Sequence, residues 1–558
     1  MFMDQTMDRR KFLTYLGSGA AALAVASTGL GVLENKAEAR SADHLFGFKT
    51  NKVSGYFTPI EPSDADDLIL PAGYKYDVVA AYGDVINKAG ETFGFNCDFT
   101  MYLPMNGSSE RGLLWVNHEY SSDVFVHGAR QGDKYTAEQI RTMLYVQGGS
   151  IIEVYRGQDG VWKMDAGSKY ARRVTGLTPF HLTGPARGSK AVGGKTEVQG
   201  TFANCSGGMT LWNTVLSCEE NFETTSEDAG LNPTHYGWVI EVDPFDSGFQ
   251  VRKHTALGRF HHENSAMGLA KDGRVVVYMG DDTTDACVYK FISKGAYSPS
   301  AGRANSELLT EGTLYAADMK KGRWIALTVD AVQRALKDAK FKAPSAVKLS
   351  QADLLKKYAA QADVLVNAAE VAVLLGATPT DRPEDLEISP FDSSIFIAHT
   401  NNDKHGNIHG HITRFFEKDN DLGATEFDFE IFAAGGRQSG FSAPDNLTFD
   451  SNGNLWTVTD ISSSKLNTGV YSSFKNNGVF VIPTTGPSTG HALQFASAPV
   501  EAEMTGPWFT PDERTLFMAV QHPGEETSDL KQPTSMWPHR KGDTMPRPSV
   551  VAITGFTW

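Results

Sequence analysis

The chain has 558 residues, with 51 Lys and Arg against 66 Asp and Glu, a formal charge of −15. That acid excess excludes a nucleic-acid binder, which needs a basic stripe to displace phosphate counterions. A hydrophobic fraction of 41% and a charged fraction of 21% exclude a disordered or fibrous chain and leave a globular one with a large core.

Residues 1–39 read as an export address. Arg9 and Arg10 precede an apolar run from about Tyr15 to Leu33, and Ala37-Glu38-Ala39 is a small-x-small cleavage site. The pattern fits a twin-arginine signal peptide, with the twin-arginine translocase as its partner during export. A retained membrane anchor is the alternative. After cleavage no run of about 18 apolar residues remains to hold the protein at a membrane, so a periplasmic or extracellular location is expected. Residues 40–60 follow as an N-terminal extension and 61–558 as one domain. Its four cysteines, Cys97, Cys205, Cys218 and Cys287, make no C-x-x-C pair and no disulfide framework.

From residue 96 onward one unit recurs: strand, tight turn, strand, with polar residues at both outer ends. The first copy runs from Asn96 and Asp98 through Asn106-Gly107 to Asn117 and Glu119. The second runs from Cys205 through Trp212-Asn213 to Glu219 and Glu220, and the third from Glu263-Asn264 through Lys271-Asp272-Gly273 to Asp281 and Asp282. From about Ala331 to Leu375 the pattern breaks into helical spacing at Leu354, Leu355, Tyr358 and Ala362. Two or three inserted helices are expected there, either covering an edge of the fold or walling its mouth. The fourth copy runs from Glu384-Asp385 through Pro390-Phe391-Asp392 to near Asn401. The fifth runs from Asp445-Asn446 through Ser451-Asn452-Gly453-Asn454 to Asp460, and the sixth from Glu503 through Pro511-Asp512-Glu513 to Gln521.

A hairpin sets the start of its first strand beside the end of its second, so both polar ends share one pole. Six such units placed radially predict a mainly β fold, an irregular six-bladed β-propeller carrying a helical insertion. A β-sandwich or two smaller β domains is the alternative. The hairpin ends would bring twelve carboxylates, Asp385 included, to one mouth. Converging carboxylates repel one another and lose hydration unless cations neutralise them, and hard oxygen donors suit Ca²⁺, Mg²⁺ or oxidised iron. Cys205 occupies a position that acids hold in sister units, and a thiolate among them favours iron. Arg382, two residues before Glu384, either clamps a phosphate oxyanion or pairs with Asp381 or Asp385. Gly486-Pro487-Ser488-Thr489-Gly490 matches a nucleophile pattern but lies in a loop composition rather than a strand-to-helix elbow. His405, His409 and His411 read as a solvated loop.

These motifs resemble those of the PhoX-type alkaline phosphatases. The resemblance rests on Phe93-Gly94-Phe95-Asn96 with Asp98, Leu114 to Tyr120, Asn204-Cys205-Ser206-Gly207-Gly208, Cys218-Glu219-Glu220-Asn221-Phe222, His262-Glu263, Gly280-Asp281-Asp282, Arg382 with Glu384, and the segment from Thr505 to Glu525. It implies a propeller holding two ferric ions (Fe³⁺), three calcium ions (Ca²⁺) and a bridging oxo group. Cys205, Glu219, Glu263, Asp281, Glu384 and Asp445 become the foremost ligands, with Asn96, Asp98, Glu119, Glu220, Asp282, Asn446, Asp460 and Glu503 as further donors and Arg382 on the phosphate. The expected activity is hydrolysis of small phosphate monoesters to alcohol and phosphate by a metal-bound oxo or hydroxide. A calcium-dependent esterase or lactonase, or a non-catalytic calcium-stabilised binding propeller, is the competing expectation.

Overall fold

The computed structural model describes residues 57–127, 134–344 and 347–557, which fold mainly into antiparallel β-sheet. Among the described residues there are six sheets. Each opens on one of the expected hairpins: Cys97–Pro104 with Arg111–His118, Asn204–Met209 with Val215–Glu219, Ala266–Leu269 with Arg274–Gly280, Pro383–Ile388 with Ile395–His399, Pro444–Phe449 with Asn454–Thr459, and Glu503–Phe509 with Thr515–Gln521. Local chemistry fixes the turns. In the fifth hairpin Asp450 accepts hydrogen bonds from the backbone of Asn452 and Asn454 and from the Trp456 indole, so the loop is closed by its own acid.

Further strands extend every hairpin outward, and their side chains fill the space between neighbouring sheets. Between the first and sixth sheets, for example, Tyr102 stacks on Phe517 at 5.3 Å and Trp162 meets the same ring edge-on. The first strands touch in order around a closed circuit: first with second, and so on to the sixth, which returns to the first. Glycine permits that approach at Gly506, where φ is +55° and an added Cβ would strike the backbone of Phe99 and Thr100. The sixth sheet is completed from the other end of the chain, because Lys75–Ala81 pairs with Ser549–Thr554. Residues of the extension continue onto this body: Phe57 is buried against Phe495, and the Ile60 amide donates to the Gln494 carbonyl. The signal segment, 1–39, lies outside the described residues.

Four short helices, Val329–Lys337, Gln351–Lys357, Gln361–Val366 and Ala368–Leu374, occupy the insertion. Leu336, Leu354, Val364 and Val371 bury themselves against Leu314 and Tyr289 of the third sheet and against Leu257 in the short turn that leads to it from the second. They cover the flank of the sheets and contribute no residue to the cavity described below.

Two backbone devices recur at the same end of the sheets. In five of the opening hairpins the register slips, so that two residues of the first strand oppose one of the second; four of the slips lie at the polar start of the strand, at Asp98-Phe99, Cys205-Ser206, Glu384-Asp385 and Asp445-Asn446, and the fifth lies further along, at Gly506-Pro507. Such bulges re-aim a side chain. Two positions before the leading residue of each of the first four stands a left-handed, non-glycine residue: Asn96, Ala203, Arg382 and Ala443, with φ of 53° to 55°.

Candidate metal and phosphate site

The leading bulge residues Asp98, Cys205, Glu384 and Asp445 all line one cavity. Glu263 reaches it from the segment before Ala266–Leu269. Glu119, Glu220, Asp282 and Asp460 enter from just beyond the ends of second strands, Glu503 from the start of the sixth sheet, and Arg382 completes the sequence-predicted members. Nine carboxylates therefore face one thiol and one guanidinium.

Three overlapping donor groups can be drawn within this wall: Asp98, Glu119 and Cys205; Cys205, Glu220 and Glu263; Glu263, Asp282 and Glu384. In each, the ligand atoms lie within 4.8 Å of one another. Cys205 and Glu263 are shared, so the groups form a continuous chain. The Cys205 sulfur is 3.3 Å from Asp98 Oδ2 and 3.3 Å from Glu263 Oε1.

The electrostatics of this wall favour either protonation or a bound cation. Burial first, and then repulsion from neighbouring acids, pushes the carboxyls of Asp98, Glu119, Glu220, Glu263, Glu384, Asp445 and Glu503 well above the ordinary range. Burial and the charges of Asp98 and Glu263 likewise push the Cys205 thiol up. Asp98 Oδ1 and Glu263 Oε2 are buried without a hydrogen-bond partner among the described residues. Orphaned, mutually repelling donors of mixed oxygen and sulfur character can hold metal ions.

Arg382 pairs with neither Asp381 nor Asp385. Its Nε and Nη2 grip Asp282 at 2.9 and 2.7 Å, Nη2 also reaches Glu384 at 3.2 Å, and Asp460 lies 3.8 Å away. Burial works against its charge, but Asp282, Glu384 and Asp460 more than offset this and hold the guanidinium protonated. Nη1 makes no hydrogen bond to a described residue and remains available to an anion.

Four expected donors do not line the cavity. Glu219 is wholly buried in an ion pair with Lys253 at 2.5 Å and accepts from Thr201 and the Trp238 amide, so its charge is already compensated. Asp281 forms a backbone bridge with His262 and lies 3.8 Å from His261; burial raises its carboxyl to about 7. The Asn446 amide donates to Asp445 and accepts from Gly506 N, locking the fifth sheet to the sixth. Asn96 is buried with neither amide atom hydrogen-bonded among the described residues.

Conversely, Tyr120, Asn221, Gln521 and His522 line the cavity without having been picked out as donors. Gln521 donates to Glu119 at 2.6 Å, Asn221 to Glu220 at 2.7 Å, and Tyr120 to Glu525 at 2.9 Å, while His522 lies 3.4 Å from Glu503. Tyr120 and Asn221 directly follow acids that were recognised. A search that admitted neutral polar residues at strand ends would have found Gln521 and His522.

A family model described as alkaline phosphatase PhoX matches residues 55–524. No curated protein matches the chain. Among solved structures, Pseudomonas fluorescens PhoX in complex with vanadate, a transition state analogue, is 31% identical; the match covers 89% of this chain and 97% of that one, with a TM-score of 0.75. A gluconolactonase from Xanthomonas campestris is 12% identical over 83% of this chain and 96% of its own, with a TM-score of 0.30. A putative 6-phosphogluconolactonase from Bacteroides fragilis is 9% identical over 82% and 89%, with a TM-score of 0.32.

Proposed function

The chain belongs to the alkaline phosphatase PhoX family and is a phosphatase, and from that premise we propose that it hydrolyses small phosphate monoesters at an iron–calcium cluster. The observation that carries this reading is the chain of donor groups joined through Cys205 and Glu263, with a guanidinium at its edge. A thiolate suits iron and poorly suits calcium, whereas the carboxylates suit both. Two ferric ions, three calcium ions and a bridging oxo group are the proposed complement. Such ions, when bound, supply Lewis-acid charge to phosphoryl oxygens and lower the pKa of coordinated water.

The chain's own residues divide the remaining work. Asp98, Glu119, Cys205, Glu220, Glu263, Asp282, Glu384 and Asp445 are the proposed holders of the metals. Arg382 meets a non-bridging phosphoryl oxygen through Nη1 while Asp282 fixes its other edge, so the clamp is orientated before substrate arrives. Tyr120, Gln521 and His522 add polar groups to the cavity wall among its acids, and Gln521 steadies the Glu119 carboxylate.

The six sheets are proposed as the blades of a propeller, supported by the closed circuit of first strands and by the blade shared between the chain's two ends. Export by the twin-arginine route is proposed from residues 1–39; no helix among the described residues is long and apolar enough to cross a membrane. The test is elemental analysis of protein from its native host combined with an assay on p-nitrophenyl phosphate, with and without a calcium chelator. Iron and calcium both present, with activity lost on chelation, is expected. Full turnover by protein free of both metals sinks the proposal.

A further inference from the structure

We propose that His405 is a positioning residue that holds Arg382 in its phosphate-facing orientation by bridging the two loops on which the clamp is built. The inference rests on the reading of Arg382 as the phosphate clamp.

His405 stands in the connection between Ile395–His399 and His411–Glu417, on a turn closed by reciprocal backbone hydrogen bonds between Asn402 and Asn407 at 2.6 and 3.1 Å. Its ring spans two carboxylates. Nε2 is 3.2 Å from Asp285 Oδ1, and Nδ1 is 3.3 Å from Asp381 Oδ1. Asp285 belongs to the loop that begins with Asp282, the residue gripping the guanidinium. Asp381 immediately precedes Arg382. The ring thus ties together the loops bearing both halves of the Arg382–Asp282 pair.

The surroundings explain why such a tie is needed. Arg382 has φ of 55°, a left-handed conformation that a non-glycine residue keeps only where its neighbours over-determine it. Part of that constraint is backbone: Thr400 N donates to Arg382 O at 3.1 Å, Asp285 N to Thr380 O at 3.2 Å, and Thr380 N to Ala286 O at 2.7 Å. Beside it stands the Asp381 carboxylate, which is wholly buried: Asn407 Nδ2 donates to its Oδ2 at 2.9 Å, and its Oδ1, without a hydrogen bond among the described residues, faces the His405 ring, whose Nδ1 also meets Asn402 Nδ2 at 3.3 Å. His411, on the far side of Asn407, is kept neutral because burial lowers it to about 4, so it brings no charge to Asp381. On the other loop, Lys404 and Asn402 brace Asp285 at 3.2 and 3.1 Å, which keeps the carboxylate facing the ring. Removing the imidazole takes away the ring that packs between the Asp381 and Asp285 carboxylates, and the residue beside Asp381 is then freer to relax out of the left-handed conformation. The guanidinium moves with it.

The experiment compares His405→Ala, Asp285→Asn, the double variant and Arg382→Ala as metal-loaded full-length proteins. Asp285 is about a third exposed, so its variant keeps the test usable if His405→Ala folds poorly. The measurements are KM and kcat on p-nitrophenyl phosphate, inhibition by inorganic phosphate, iron and calcium content, and Tm. Each single variant is expected to raise KM and the phosphate inhibition constant about tenfold, the scale of losing a partner that orientates a site residue. Metal content is expected to stay at the wild-type level, kcat within about twofold, and the double variant no worse than the poorer single one. Unchanged KM and phosphate inhibition in both single variants, with Arg382→Ala impaired, overturns the role of His405 alone. A joint fall of metal content, Tm and kcat reduces His405 to a structural group and also overturns it. If Arg382→Ala itself leaves phosphate inhibition unaltered, the clamp reading fails and this inference fails with it.

Discussion

On the proposed reading, Cys205 is the residue that selects the metal. It stands on a bulge where sister sheets place Asp98, Glu384 and Asp445, so its sulfur enters a wall otherwise made of oxygen donors. Cys205→Ser keeps the size of the side chain and removes the thiolate. Visible thiolate-to-iron absorption should vanish, iron content should fall, and turnover should drop about a hundredfold; retained absorption in the serine protein would exclude sulfur ligation. A structural residue offers a separate check on pH. Glu241 is wholly buried, which alone would raise its carboxyl, but His254, Ser306 and Thr214 hold it down at about 2, and the Trp212 indole donates to it as well. A depressed folded-state value means stability that is complete above the unfolded value of 4.5 and lost as pH falls toward 2. Glu241→Gln is therefore expected to cost about 3 kcal/mol at neutral pH, and the difference in Tm from wild type should shrink below about pH 4. Glu219 shows why residue-level reading was incomplete: as a strand-end acid it looks like its neighbour Glu220, and what neutralises it, Lys253, lies in a different strand with no sequence mark of the pairing.

At the scale of elements, the opening hairpins were legible because each carries its turn residues between β-rich runs. The bulges were not. A bulge changes register by one residue, and the sequence Glu384-Asp385 does not say which acid turns inward; the fold sends Glu384 to the cavity and Asp385 to the Asn264 amide and the Leu447 backbone. The left-handed residue two positions earlier is equally silent, since alanine fills it twice. That gives a sharp expectation. Ala443→Gly removes the strain of φ 55° while adding backbone entropy to the unfolded chain, so its stability should stay within about 1 kcal/mol of wild type. A loss of several kcal/mol on denaturant unfolding would show that the alanine methyl, buried against Ile461 and Tyr471, matters more than the dihedral. Gly506→Ala should behave in the opposite sense, forcing the first and sixth sheets apart and lowering Tm by several degrees.

Across the whole molecule, the charge of −15 has an inward component, because nine of the acids line one cavity. Raised carboxyl values describe a metal-free protein that prefers these groups protonated. Their contribution to stability is present below the unfolded carboxylate range and is lost progressively as pH rises through the raised folded values. Chelation should thus lower Tm more at pH 9 than at pH 5, and calcium should restore it; an equal loss at both pH values would place the cations elsewhere. The sheet repeat and all nine cavity acids could be read from the sequence because both depend on local pattern. The pairing of Lys75–Ala81 with Ser549–Thr554 could not, since nothing local links strands so far apart.

That last pairing also sets an order of events during synthesis. Donors from the first sheet to the sixth meet only once the circuit of first strands has closed, and the sheet that fastens it includes Ser549–Thr554. A ribosome-bound chain lacking those residues holds Asp98 and Cys205 without a stable counter-wall at Glu503. On the proposed reading, the complete donor wall, Glu503 included, would be assembled only after nearly the whole polypeptide has been made, so full loading would follow synthesis rather than accompany it.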